Sequence, residues 1–290
     1  MQTHGYSDTL PRMKRQLRFS ALFALMLALA TPTFAGSDKP SADELIAKSL
    51  AAFAAPDLRD PAAGRNFEGE VSFRNIVGNG AGGLQGTATL MSRGKDFRLT
   101  MIFNNPTYSG ENILVANGKS TVGVIKAGVR SNLGNFLDTQ TPIFRSGLFG
   151  GELSTAWPFW DQKIPAGVKL ISDGLKKIEG EKLYEVRYLG PKQGDINIYL
   201  YFDPETGHHV MTQYRLPAPS FSSSQFTAQS TSPGEIVLQE KFSNFKPANG
   251  VNLPLVWTIR WIQGEGSIQE WQVVLQKMNP TLPADAFALK

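Results

Sequence analysis

Apolar and polar residues alternate along most of this chain from Phe67 onward, which is the period-two pattern of β-strands with one buried face. The sequence FRLTMIF at 97–103 shows it clearly. Further strands are predicted at 87–91, 112–116, 122–125, 183–189, 196–202, 210–216, 236–242, 255–262 and 268–277. Short turns such as Asn117-Gly118 and 203–207 separate them, so the sheet should be antiparallel and meandering.

A capping box predicts one amphipathic helix ahead of the strands. Ser41 can accept a hydrogen bond from the first turn while Glu44 reaches back to the backbone of Ser41. The helix should end before Pro56. The apolar residues that follow the box at helical spacing are Leu45, Ile46, Leu50 and Phe53.

A second helical stretch interrupts the strands in the middle of the chain. It begins at Thr141-Pro142, with threonine as the cap and proline at the first helical position. Each glycine inside a helix costs about 1 kcal/mol, and three occur between 147 and 151. We therefore expect a short, loosely held helix or two half-helices, with the apolar residues Ile143, Phe144, Leu148 and Phe149.

Residues 1–35 have the composition of a cleavable export signal, and translation starts either at Met1 or at Met13. Basic residues at 14, 15 and 18 precede an uncharged run at 19–30, and small residues stand at 33 and 35 where a signal peptidase cleaves. The run is shorter than the roughly 20 residues that span a bilayer; a retained membrane anchor is the alternative.

We therefore expect a soluble periplasmic protein. Residues 36–290 should form a single domain, and the Ser/Pro-rich stretch at 217–234 should be a flexible loop between strands.

The leader also accounts for the basic character of the whole chain. The chain has 29 basic and 25 acidic residues, of which four basic residues and Asp8 fall in 1–35, so the remainder carries 25 against 24. Nothing in residues 36–290 therefore favours a nucleic-acid partner. Cysteine is absent, which excludes disulfides, thiolate metal sites, a cysteine nucleophile and lipidation after a signal peptide.

Candidate chemistry is sparse. The glycine run at 78–83 has the spacing of a dinucleotide fingerprint but leads into a strand, so a hairpin loop is favoured. His208 and His209 point to opposite faces of a strand and have no third ligand, so we predict neither a metal nor a cofactor. A hydrolase that uses one of these histidines remains an alternative, although no Gly-x-Ser-x-Gly elbow supports it.

Several strands are apolar on both faces, as at 196–202 and 255–262. One face suits a core beneath helices. The other face can be buried under loops or in cross-strand pairs. It can instead line a cavity for a ligand, and the sequence leaves both interpretations open.

The order of segments resembles the periplasmic outer-membrane lipoprotein carrier family, LolA, and its wider lipoprotein-sorting-like superfamily. The resemblance is carried by short stretches in the same order along most of residues 36–290. These are LMSR at 90–93, FRL at 97–99, ENILVANGK at 111–119, TPIF at 141–144, FDPETG at 202–207, GVNLP at 250–254 and LPADAF at 282–287. The chain departs from the family at Gly94, where proline is usual, and at 122–124, where aromatic residues are common.

This resemblance implies an α+β fold, an incomplete antiparallel β-barrel of about 11 strands with an N-terminal helix and a short mid-chain helical lid. It also implies an apolar cavity for acyl chains and an arginine, matched by Arg93, that latches the lid. The lid would comprise Ile143, Phe144, Leu148 and Phe149. The cavity lining is predicted to be Leu99, Met101, Phe103, Trp257, Ile259 and Trp261.

Two hypotheses follow for function. The first is a non-enzymatic carrier or binder of a lipid, a lipoprotein or another hydrophobic ligand, which needs no catalytic residue. The second is a structural or regulatory envelope protein that docks a protein partner and whose apolar interior is a packed core.

Overall fold

The capping box predicted at Ser41 forms and starts the first helix. The Ser41 hydroxyl accepts from the Glu44 backbone N–H at 3.2 Å, and the Glu44 carboxylate accepts from the Ser41 N–H at 2.7 Å. The computed structural model describes residues 39–76, 83–126, 128–191, 193–217, 235–264 and 267–288, without the side chain of Phe144. The predicted leader, the glycines at 78–82 and the loop at 218–234 lie outside these residues.

Three helices and twelve strands make up the described chain. The helices are α1 (Ala42–Phe53), α2 (Asn132–Thr139) and α3 (Thr141–Arg145). The strands are β1 (Arg65–Asn75), β2 (Leu84–Arg93), β3 (Asp96–Phe103), β4 (Gly110–Ala116), β5 (Lys119–Val124), β6 (Lys169–Ile178), β7 (Glu181–Leu189), β8 (Asn197–Phe202), β9 (His209–Leu216), β10 (Ile236–Ala248), β11 (Val251–Gln263) and β12 (Ser267–Met278).

All twelve strands belong to one antiparallel sheet in the order β5-β4-β3-β2-β1-β12-β11-β10-β9-β8-β7-β6. The sheet consists of two meanders, β1–β5 and β6–β12, which are joined where β1 pairs with β12. Its edges are β5 and β6, and the chain between them supplies α2, α3 and an irregular segment. The sheet is therefore open, and the connecting chain is available to cover its inner face.

Ring contacts show that the sheet is strongly curved. Phe149 packs edge-on against Phe97 of β3 at 5.9 Å and against Trp257 of β11 at 5.1 Å. The rings of Phe97 and Trp257 are thus about 11 Å apart at most, whereas the four strand steps between β3 and β11 would span about 19 Å in a flat sheet. The predicted incomplete antiparallel barrel is confirmed, with twelve strands rather than about eleven.

The prediction missed strand β6 and helix α2. Strand β6 contains an irregularity in its pairing with β7 between Ser172 and Gly174, so its apolar residues do not alternate regularly. Helix α2 contains Asn132, Gly134 and Asn135, which are poor helix formers. Its stability must therefore come from tertiary contacts.

A buried carboxylate supplies one of these contacts. Glu111 of β4 accepts from the Ser131 backbone N–H at 2.7 Å and from the Ser131 hydroxyl at 2.8 Å, and that hydroxyl caps Gly134 at the start of α2. Tyr108 donates its hydroxyl to the same carboxylate at 3.3 Å. Burial raises the pKa of Glu111, although its contacts with Ser131 and Tyr108 act in the opposite direction. Glu111 thus fixes the entry to α2.

Replacing Glu111 with alanine is expected to lower the free energy of unfolding by about 1–3 kcal/mol, because it leaves buried donors of Ser131 and Tyr108 without an acceptor. Hydrogen exchange should show lost protection in α2, and chemical denaturation should show the loss of stability. Glu70→Ala, at an exposed position of β1, is the matched control and should change neither. Equal protection of α2 in both variants would refute this role.

The apolar residues on the second face are explained in part by a small cluster separate from the main core. Its buried members are Leu183, Tyr201 and Met211. The Tyr201 hydroxyl donates to Gln213 on the neighbouring strand at 3.1 Å. Cross-strand packing therefore accounts for the tyrosines of β8. This is the interpretation in which the second apolar face is buried in cross-strand pairs rather than lining a cavity.

Candidate ligand-binding site

An irregular segment occupies the inside of the curved sheet. Residues 146–160, here called the central segment, follow α3 and contain a single 3-10 turn at Gly151–Leu153. Nearly all of the segment is buried, whereas connecting segments ordinarily run over a protein surface because buried backbone groups need partners. This placement identifies the central segment as the element that closes the interior.

Side chains of the sheet provide partners for the buried backbone of the central segment. The carboxylate of Glu240, on β10, accepts from the Gly150 N–H at 2.8 Å. The Ser92 hydroxyl accepts from the Thr155 N–H at 3.1 Å. Tyr214 also donates its hydroxyl to Glu240, at 2.7 Å. The inner face therefore contains specific polar positions that hold the segment in place.

A second buried carboxylate lies within the segment itself. Glu152 accepts from the Ser49 hydroxyl of α1 at 2.6 Å, and its backbone carbonyl accepts from the guanidinium of Arg65. The Arg65 guanidinium also lies over the rings of Phe53 and Trp160, 5.2 Å and 4.9 Å from their centroids. Arg65 is 8% exposed, and it thus joins α1, β1 and the central segment.

Burial sets the protonation of these groups. It raises the pKa of Glu152 to about 8, although the Ser49 hydrogen bond and the nearby Arg65 act in the opposite direction. Burial likewise raises the pKa of Glu240 to about 8. Burial lowers the pKa of Arg65 to about 10, against the attraction of Glu152. Both carboxyl groups are therefore mostly protonated at neutral pH.

The structure brings the six predicted cavity residues into one buried cluster. Phe149 of the central segment packs directly against Trp257, one of the six. The space beside Trp257 is thus filled by the protein's own side chain, and the role of these residues in binding a ligand stays a prediction. The exposed fractions are 0% for Leu99, Met101, Trp257 and Ile259, 3% for Phe103 and 6% for Trp261.

The predicted lid residues do not share one helix. Ile143 and Phe144 lie in α3, whereas Leu148 and Phe149 follow it in the central segment. Ile143, Leu148 and Phe149 are buried. Gly147 follows α3 in the left-handed region, at φ 73°, and the backbone carbonyl of Ala156 lies 2.0 Å from where a Cβ would stand. Glycine is therefore required where the chain turns from α3 into the core.

The predicted latch, Arg93, lies at the surface. Its guanidinium stands 5.7 Å from the centroid of the Phe287 ring near the C-terminus. In the described part of the chain, Arg65 donates to the central segment, although no sequence pattern had pointed to it. A latch role for Arg93 stays a prediction.

A groove of about 810 Å³ opens where α3 and the central segment meet the sheet. One wall comes from the β4–β5 hairpin and the other from β7 and β8, so the groove bridges the open side of the sheet. Its size is within the range of small-molecule sites. Its apolar lining includes Val115, Ile143, Ile164, Tyr188, Ile196 and Ile198.

The two histidines have different surroundings. His208 stacks on Phe245 at 4.0 Å, beside a second, more polar hollow of about 630 Å³. His209 is 1% exposed and stacks on Trp157 at 4.7 Å, and burial lowers its pKa to about 3. Its Nε2 lies 2.9 Å from the hydroxyl of the buried Thr212. His209 therefore lies in the packed interior, whereas His208 borders the hollow.

Neither metal-binding clusters nor membrane-spanning helices are found in the described ranges. No group of three or more His, Asp or Glu side chains there could hold a metal ion. In the same residues, no helix is long and apolar enough to cross a membrane.

Similarity to known proteins is found at the level of solved structures. No protein-family model and no curated protein matches the sequence. Among solved structures, the chain is similar to a LolA superfamily protein from Nitrosomonas europaea, with 13% identity, a TM-score of 0.45 and coverage of 86% of this chain and 98% of that one. It is similar to a putative outer membrane lipoprotein-sorting protein domain from Vibrio parahaemolyticus, with 9% identity, a TM-score of 0.44 and coverage of 84% and 97%. It is also similar to the complex of MucA and MucB from Pseudomonas aeruginosa, with 9% identity, a TM-score of 0.23 and coverage of 84% and 95%.

These likenesses concern the fold alone. The open, curved antiparallel sheet of the described residues is the incomplete barrel that the sequence predicted.

Proposed function

We propose that this protein is a non-enzymatic binder or carrier of a hydrophobic ligand, such as an acyl chain of a lipid or lipoprotein, in the periplasm. The observation that carries this proposal is the groove of about 810 Å³ with an apolar floor. One predicted lid residue, Ile143, lines this groove, and another, Phe149, packs on Trp257 in the interior. The periplasmic location rests on the leader predicted at residues 1–35.

In this proposal, the central segment acts as a gate. A ligand first enters the groove, and displacement of Phe149 then exposes Trp257 and the other predicted lining residues. Burial of an acyl chain is worth about 0.8 kcal/mol per methylene, so about sixteen carbons contribute on the order of 12 kcal/mol before the cost of ordering. This gain exceeds the cost of moving one apolar side chain such as Phe149 out of the core, which is about 1.5–3 kcal/mol.

Binding can be measured by displacement of a fluorescent fatty acid. Ala166 lines the groove, so Ala166→Phe should narrow it and weaken binding about 10-fold or more. Ala47→Phe, at an exposed position of α1, is the matched control and should bind like the parent chain. Trp257→Ala should also weaken binding if the ligand reaches the interior.

Absence of saturable binding, together with no effect of Trp257→Ala or Phe149→Ala on lipids that co-purify in native mass spectrometry, would refute the proposal. Weaker binding in Ala47→Phe than in Ala166→Phe would refute the assignment of the groove.

A second candidate function is supported by the filled interior. Because Phe149 and its neighbours pack the concave face, the interior can serve as an ordinary core, and the protein would then dock a protein partner in the envelope. Capture of one stoichiometric protein and no lipid from an envelope extract would favour this function over ligand carriage.

A further inference from the structure

Three cationic side chains stand around the mouth of the apolar groove. Lys95, Arg145 and Lys163 line it and are exposed. Among the described residues, none of the three makes a side-chain ion pair within 4.0 Å. The acidic residue that lines the groove with them is Asp161, whose carboxylate accepts from the Lys163 backbone N–H at 3.1 Å. The mouth therefore has an excess of positive charge.

This excess is local rather than a property of the whole chain. Beyond residue 35 the basic and acidic side chains almost balance. Several other arginines contact a carboxylate: Arg74 and Arg260 both bond Glu270, and Arg130 bonds Asp138 at 2.6 Å. A negatively charged group of a ligand can thus pair with this cluster of cations around the apolar opening.

The floor beneath these cations has the opposite character. Tyr188, Ile196 and Ile198 are each less than 5% exposed, and they contribute apolar surface from β7, β8 and the turn before β8. Charges beside such a low-dielectric surface interact more strongly than charges in open water. A molecule that fits both parts must have an apolar chain and a negatively charged end.

We propose that the groove selects amphiphiles with an anionic head group and an acyl chain, in which the head lies between Lys95, Arg145 and Lys163 and the chain lies on the apolar floor. This inference rests on the proposed function and specifies the class of its ligand. Apolar burial provides most of the affinity, and the three cations provide discrimination between head groups.

The test compares three sixteen-carbon probes that differ in the head group: palmitate, hexadecanol and hexadecyltrimethylammonium. Each is titrated against the purified full chain at 20 mM salt, palmitate and hexadecyltrimethylammonium below their critical micelle concentrations and hexadecanol below its solubility limit. We expect palmitate to bind about 10-fold more tightly than hexadecanol and hexadecyltrimethylammonium to bind most weakly. At 0.5 M salt, where the screening length falls to a few ångströms, the preference for palmitate should shrink to about 2- to 3-fold.

Two triple variants distinguish the effect of the three groove cations from a general effect of the protein's charge. The triple variant Lys95→Gln, Arg145→Gln, Lys163→Gln should lose the preference for palmitate and keep its affinity for hexadecanol. The control carries the same loss of charge on the exposed β6–β7 hairpin: Lys176→Gln, Lys177→Gln, Lys182→Gln. It should keep the preference.

The outcomes distinguish the two proposals. If palmitate and hexadecanol bind equally to the parent chain, or if both triple variants behave alike, the anionic head-group inference is wrong and the binding function stands. If none of the three probes binds saturably, the proposed function itself fails.

A fourth probe, lysophosphatidic acid, separates recognition of a carboxylate from recognition of a phosphate. Affinity equal to that of palmitate supports recognition of negative charge in general. Affinity no higher than that of hexadecanol overturns recognition of negative charge in general.

Discussion

Replacing Arg65 with methionine is expected to lower the free energy of unfolding by about 2–4 kcal/mol, because it removes a charge-assisted hydrogen bond to a buried carbonyl and two cation–π contacts. Methionine can fill much of the space between Phe53 and Trp160, but it cannot donate to the carbonyl of Glu152. Urea denaturation followed by tryptophan fluorescence measures the loss. Hydrogen exchange should show that the central segment loses protection before the strands do.

Arg93→Met is the matched control, because Arg93 is an arginine of the same sheet at an exposed position. Its contact with Phe287 is worth about 0.5–1 kcal/mol at such a site, so its loss should leave the central segment protected. If Arg93→Met instead loosens the segment as much as Arg65→Met, the latch is Arg93, as the family resemblance implied, and the role given to Arg65 is wrong.

A second large effect is expected from pH: the protein should lose stability between about pH 6.5 and 8. Glu152 and Glu240 have a pKa of about 8 in the folded chain against an ordinary value of 4.5. The folded chain retains protons that the unfolded chain has released, so the stabilisation present below pH 4.5 declines as the pH rises to 8. Each group contributes about 1.4 kcal/mol per pH unit, and the two together about 3.

The imidazole of His209 counteracts this loss of stability only below pH 6.5. Its pKa is about 3 in the folded chain and 6.5 ordinarily, so the stability linked to its neutral ring is present above pH 6.5 and is lost below it. The net decline should therefore be steeper above pH 6.5 than below it. The groups that face the carboxyls, Arg65 beside Glu152 and Tyr214 beside Glu240, do not titrate in this window.

The double variant Glu152→Gln, Glu240→Gln should flatten this pH dependence, because an amide keeps acceptors for Ser49 and Gly150 and has no proton to release. Denaturation midpoints at half-unit pH intervals provide the measurement. Glu181→Gln, Glu205→Gln changes two exposed carboxylates and should leave the profile unchanged. A parent profile that rises or stays level between pH 6.5 and 8 would contradict the expectation.

The sheet could be predicted from sequence because strand burial repeats every second residue over long stretches. Strand β3 shows this well, since its buried residues are those that the alternation selects. Helix α2 could not be predicted, because its asparagines and glycine disfavour a helix and the stabilising Glu111 lies twenty residues before Ser131. Tertiary contact overrides local propensity there.

The interior could be predicted only in part. Alternation placed Leu99 and Trp257 on apolar faces, and the structure buries both in one core. It could also have marked Glu240, which occupies an inward position between Leu238 and Phe242. The occupation of the concave face by residues 146–160 was not accessible to sequence reasoning, because no periodic pattern describes an irregular buried segment.

The strand order has a consequence for how the chain folds. Each meander pairs strands that are neighbours in sequence, and such local contacts form quickly. The ladder between β1 and β12 instead joins residues about two hundred positions apart, as in Phe73 with Trp271. Once each meander has formed, the loop that this ladder closes is shorter, but the ladder must still bring together strands from the two ends of the sheet. We expect the two halves of the sheet to form first and their docking along this ladder to be the slower step.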